Sequence, residues 1–134
     1  MNLFYLFSML ILPALMIGLG FLWRKNGPKQ INGIYGYRTA RSTSSPEAWN
    51  FAHVYSARLY LILGIVLLIP TLISIRHYWS ADADTIAVLS IAVLTVQTIV
   101  FVLTIPITES ALKKHFDKNG NRKEKQMPQT QENN

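Results

Sequence analysis

Three long stretches of the chain carry no charged residue. They run from Leu3 to Trp23, 21 residues, from Leu59 to Ile75, 17 residues closed by Arg58 and Arg76, and from Thr85 to Thr108, 24 residues. A helix needs roughly 20 apolar residues to cross a hydrocarbon core of about 30 Å. The pattern therefore predicts an all-α membrane protein with spans at about 3–23, 59–79 and 85–108. Residues 1–125 read as a single membrane unit, and 126–134, polar and without periodicity, as a disordered tail. Basic residues follow the first span rather than precede it, so it reads as a retained helix and not a cleaved leader.

Composition sharpens this reading. Of 134 residues, half are hydrophobic, 15% are charged and none is cysteine. About 25% charged residues is usual for a soluble domain. An ordinary soluble domain is excluded, as are a disulfide scaffold and a thiolate metal site. The mean hydropathy, +0.22, averages the apolar spans with a polar loop and tail.

Lysine and arginine are distributed one-sidedly. Twelve of the 13 lie either between Arg24 and Arg58 or after Glu109, and Arg76 stands alone between the second and third spans. The positive-inside rule predicts a cytoplasmic first loop and C-terminus, with the N-terminus outside. The net charge of +6 belongs to this asymmetry. It points to membrane lipids as partners and not to nucleic acid. Phe4, Tyr5, Trp23, Tyr78 and Trp79 fall where interfacial aromatic belts belong. Within the third span, Ser90, Gln97 and Thr104 recur every seven residues. They predict a polar seam that bonds to a neighbouring helix, since no span carries an ionisable group.

The loop between the first two spans is dense in special residues. Asn32-Gly33 signals a turn, and Gly36 suits a left-handed backbone angle. Arg38, Thr39, Arg41 and a run of hydroxyls from Ser42 to Ser45 follow. A helix begins near residue 46, either with Ser45 as N-cap and Pro46 at the first position or with Ser44 and Glu47 as a capping box. No stop signal separates this start from the second span, which predicts an interfacial helix leading into the membrane. Trp49 is then an interface anchor or a lid over the loop.

These residues resemble a known family. Asn32, Gly36-Tyr37-Arg38-Thr39, Ser42, Ser45, Glu47 and Trp49 look like the signature of the SdpI family, strongest from Asn32 to Ala52. A looser likeness reaches Glu109 and the Phe116-Asp117-x-x-Gly120-x-Arg122 segment. These are small bacterial integral-membrane proteins, which implies the inner membrane. The named member is longer, with six spans, and this chain matches its C-terminal three-span unit. The resemblance implies immunity to a secreted, membrane-active toxic peptide, and signalling to a cytoplasmic repressor as partner.

Arg38 presents five donors in a planar fork. It is read as structuring the loop, through Glu47 or through Glu109 at the end of the third span. A lipid phosphate or a partner's acid is one alternative, and a purely topogenic role for Arg38 and Arg41 is another. After Glu109 the helix is expected to continue to Lys118 and stop at Asn119-Gly120-Asn121.

No phosphate-cradling loop, nucleophile elbow or carboxylate pair is present. His53, His77 and His115 show no metal-type spacing. The expected protein is neither an enzyme nor a cofactor carrier. Two other readings stand beside immunity: a small transporter subunit, which needs a homo-oligomer to enclose a path, and a membrane-tethered regulatory or lipid-interacting module.

Overall fold

The computed structural model describes residues 1–123; the disordered tail expected at 126–134 lies outside them. Among the described residues there are three long helices: α1 (Leu3–Trp23), α2 (Pro46–His77) and α3 (Ala83–His115). All three are long and apolar enough to cross a membrane. A short 3-10 turn, Ser42–Ser44, precedes α2. This is an all-helical, multi-pass membrane protein.

The helix starts follow the sequence chemistry. Asn2 caps α1 by accepting from Tyr5 N–H, and Asp82 caps α3 by accepting from Thr85 N–H. The two possible starts of α2 are resolved in favour of Ser45, whose Oγ accepts from Ala48 N–H with Pro46 in the first turn. Each cap satisfies a donor that the helix leaves unpaired.

At 32 and 33 residues, α2 and α3 are roughly 50 Å long at 1.5 Å per residue. They outrun a hydrocarbon core, so both project from its basic end. The turns expected to lead into the second span are continuous with it, as the absence of a stop signal implies. They pack inward, with Ala48, Trp49, Ala52 and His53 buried.

Packing is closest between α1 and α2. A methyl built on Gly20 would stand 2.5 Å from Leu61 Cγ and 2.9 Å from the Ala57 carbonyl oxygen. Small residues let membrane helices approach in this way, since apolar side chains gain nothing over lipid by pairing. Met16, Trp23, Ala57, Tyr60 and Leu67 form the core of that interface. Large apolar residues such as Phe7, Ile62, Ile73, Val88 and Ile91 remain exposed on the outer faces, where acyl chains meet them.

One polar hub crosses all three helices. Gln97 on α3 is 1% exposed. Its Nε2 donates to Met9 O on α1 and to Thr71 Oγ1 on α2, both at 3.0 Å. The predicted seam of Ser90, Gln97 and Thr104 is buried, and both Gln97 and Thr104 bond to α2, Thr104 through the Tyr60 hydroxyl. Ser90 and Thr104 turn their hydroxyls to Ile86 O and Phe101 O of α3 itself.

Candidate functional site

The signature residues converge at the basic end of the bundle. There the loop from Arg24 to Ser45 folds against the projecting turns of α2, the end of α3 and the segment beyond it. Each polar group is best followed by asking where its hydrogen bonds go.

Gly36 is the pivot. Its φ is +116°, a region that side chains avoid. A methyl there would also stand 2.6 Å from His53 Nε2 and 3.1 Å from the Trp49 ring. This close approach brings Tyr37 N–H to His53 Nε2 at 2.8 Å. The other ring nitrogen, Nδ1, lies 2.7 Å from Trp49 O. A carbonyl accepts only, so the proton sits on Nδ1 and the neutral ring accepts through Nε2. Trp23 and Trp49 flank that ring, with centroids 4.8 and 4.4 Å away.

The Tyr37 side chain then crosses to α3. Its hydroxyl donates to Glu109 Oε1 at 2.9 Å and lies 3.2 Å from Ile105 O. Burial first, and the neighbouring Glu109 carboxylate second, push the phenol far above its ordinary pKa. It remains a neutral donor.

The hydroxyl run closes the loop on itself. Ser42 Oγ lies 3.0 Å from Tyr37 O and accepts from Thr39 N–H, while Thr39 Oγ1 accepts from Ser42 N–H. Ser45 Oγ donates to Gly120 O at 2.7 Å while it caps α2. Arg41 donates to Phe116 O, and Arg122 pairs with Glu47 at 3.1 Å. Trp49 Nε1 donates to Pro28 O, and Asn50 Oδ1 accepts from Gly27 N–H. Trp49 is thus a buried post under the loop.

Asn32 organises the tip. Its Oδ1 accepts from Ile34 and Tyr35 N–H. Arg38, exposed, donates to the Gly33 carbonyl oxygen. The anticipated acidic partners go elsewhere, with Glu47 taking Arg122 and Glu109 taking Tyr37. The loop is held mainly by backbone acceptors and hydroxyls, which tolerate burial better than an ion pair.

The end of α3 differs from expectation. The helix stops at His115, not Lys118, because Phe116 turns extended and is fully buried. Asp117 Oδ1 accepts from Asn119 and Asn121 N–H, making the turn that returns Arg122 to Phe116. Phe116, Leu112, Tyr37, Ala48 and Ala52 share one apolar cluster.

His53 is the residue that sequence reasoning passed over. It sits at the centre of the site, yet as a lone histidine without metal spacing it carried no signal of its own. The spacing Trp49, His53, Ser56, Tyr60 marks it in retrospect. All four are buried at helical intervals. Among the described residues no group of three acids or histidines stands close enough to hold a metal ion.

A family model described as the SdpI/YfhL protein family matches residues 29–107. A protein of Bacillus subtilis (strain 168), named uncharacterized protein YfhL, is 48% identical over 54 residues, covering 40% of this chain and 49% of that protein. The chain thus matches about half the length of that relative. No solved structure matches. The matched range spans the segment from Asn32 to Trp49 and the start of α2, and the chain belongs to the SdpI/YfhL family.

Proposed function

We propose that this membrane protein acts by binding, not catalysis, and protects its cell against a secreted membrane-active peptide. The family membership supports the general class. The observation that carries the contact itself is in the membrane. A cleft of about 220 Å³ opens between α2 and α3, lined by Leu67, Pro70, Thr71, Val93 and Gln97. Both Gln97 amide hydrogens are used by Met9 O and Thr71 Oγ1. Its Oε1 is a buried acceptor without a hydrogen-bond partner among the described residues.

An unpaired acceptor in hydrocarbon is costly, by about 1–3 kcal/mol from protein data. A donor arriving from the bilayer relieves that cost. A peptide lying in the membrane supplies N–H and side-chain donors together with apolar surface for the cleft walls. The lysine and arginine asymmetry supports an orientation with the knotted loop in the cytoplasm and the N-terminus outside. In that orientation the toxin-facing cleft and a repressor-facing loop lie on opposite sides of the bundle.

The test is survival of a toxin-sensitive bacterium carrying the chain or an empty vector, under a secreted membrane-active peptide toxin. Protection by the chain at verified membrane levels supports the reading. Equal killing in both cells contradicts it for that class of toxin.

A further inference from the structure

We propose that a groove at the basic end binds the headgroup of an anionic phospholipid. The groove has a volume of about 540 Å³. Lys25, Arg122 and the α2 residues Asn50, Phe51, Tyr55 and Arg58 line it.

Several arginines of this end are already engaged. Arg41 is bound to Phe116 O, Arg38 to the Gly33 carbonyl and Arg122 to Glu47. Arg24 lies over the Phe21 ring. Lys25 and Arg58 are exposed, and among the described residues neither has an ion-pair partner. They line the same groove, Lys25 from the loop after α1 and Arg58 from α2. Two positive charges face a space that holds one acid, Glu47, and that acid already has a cation.

Depth selects the anion. Arg58 borders the charge-free run that begins at Leu59, and Lys25 stands two residues beyond the last residue of α1. Both therefore sit at headgroup level. The groove they share is also lined by the apolar Phe51 and Val54 and the polar Tyr55 and Asn50. A phosphodiester between the two cations, its glycerol on the aromatic wall and its acyl chains along the exposed face of α2, satisfies charge and apolar surface together. A free soluble anion would satisfy only the charge.

Detergent-solubilised protein is titrated with phosphatidylglycerol, phosphatidylcholine or inorganic phosphate, and retained ligand is counted by native mass spectrometry. One phosphatidylglycerol is expected to be retained, and phosphatidylcholine is not. The double variant Lys25→Gln/Arg58→Gln is expected to weaken retention about 25-fold, at about fivefold for each interfacial cation. Arg58→Lys alone should keep most of it. Lys113→Gln/Lys114→Gln, equal in charge but outside the groove, should leave it unchanged. Circular dichroism identifies any variant that misfolds. Three results would each overturn the proposal: wild-type retention by the Lys25/Arg58 variant, equal loss in the Lys113/Lys114 variant, or displacement of the lipid by inorganic phosphate.

Discussion

The backbone N–H of Tyr37 donates to His53 Nε2 across 2.8 Å. A loop amide thereby finds its acceptor in a side chain of α2, not in another strand or turn. The same residue's hydroxyl reaches Glu109 on α3. Tyr37 therefore couples two helices through one residue, and the backbone angle at Gly36 makes both bonds possible.

Gly36→Ala is the substitution this geometry tolerates least. It meets the unfavourable φ and the close His53 and Trp49 rings at once. The expected cost is about 2–4 kcal/mol, combining backbone strain with overpacking. Thermal unfolding in detergent measures it. A melting temperature equal to the wild type contradicts the pivot.

The Tyr37 phenol gives a signature in alkali. Its folded-state pKa is raised, mainly by burial. The folded protein keeps the proton where the unfolded chain releases it, near pH 10. The associated stability is complete below that pH and is lost as pH rises above it, by up to about 1.4 kcal/mol per pH unit. Tyr37→Phe should be about 1 kcal/mol less stable at neutral pH. It should also decline less steeply between pH 9.5 and about 11. Parallel curves for the two proteins would show that the buried phenol is not the titrating group.

Ser45 has two roles in one oxygen. It accepts from Ala48 N–H as the cap of α2 and donates to Gly120 O. Ser45→Ala should cost about 1–2 kcal/mol. Ser45→Gly, which restores only backbone freedom at the cap, should recover little of this, because the tie to Gly120 is still lost. Recovery to within a few tenths would assign the whole effect to capping.

Arg38 is exposed and touches only the loop tip. Arg38→Ala is expected to change stability by less than about 1 kcal/mol, as for exposed side chains generally. If that variant stays folded at normal membrane levels and loses the protection proposed for the wild type, the guanidinium acts outside the loop's own structure. If unfolding accompanies the loss, Arg38 holds the loop, as the sequence pattern suggested.

Much of the fold was legible because its signals are local. Charge-free runs mark α1 to α3, and Ser45-Pro46 marks the start of α2. The seven-residue spacing of Ser90, Gln97 and Thr104 located a buried face. What it could not convey was direction across space. The Thr71 and Met9 partners of Gln97 lie 26 and 88 residues away, and no periodicity encodes them. Arg38 and Glu47 suggested an ion pair because opposite charges in one loop attract. The folded chain brings Arg122 to Glu47 instead, through a turn built by Asp117 after α3 has ended. His53 was hidden for the same reason, since its two bonds come from one residue four positions back and another in the preceding loop.

The most direct measurement is survival under a secreted membrane-active peptide toxin with the wild type, Gln97→Leu and an empty vector at matched membrane levels. Replacing the two amide bonds of Gln97 costs roughly 1.2 kcal/mol at about 0.6 each, so the variant should fold. Protection by the wild type and its loss in Gln97→Leu is the expected result. Protection that persists undiminished in Gln97→Leu would contradict the assignment of the α2–α3 cleft as the toxin contact.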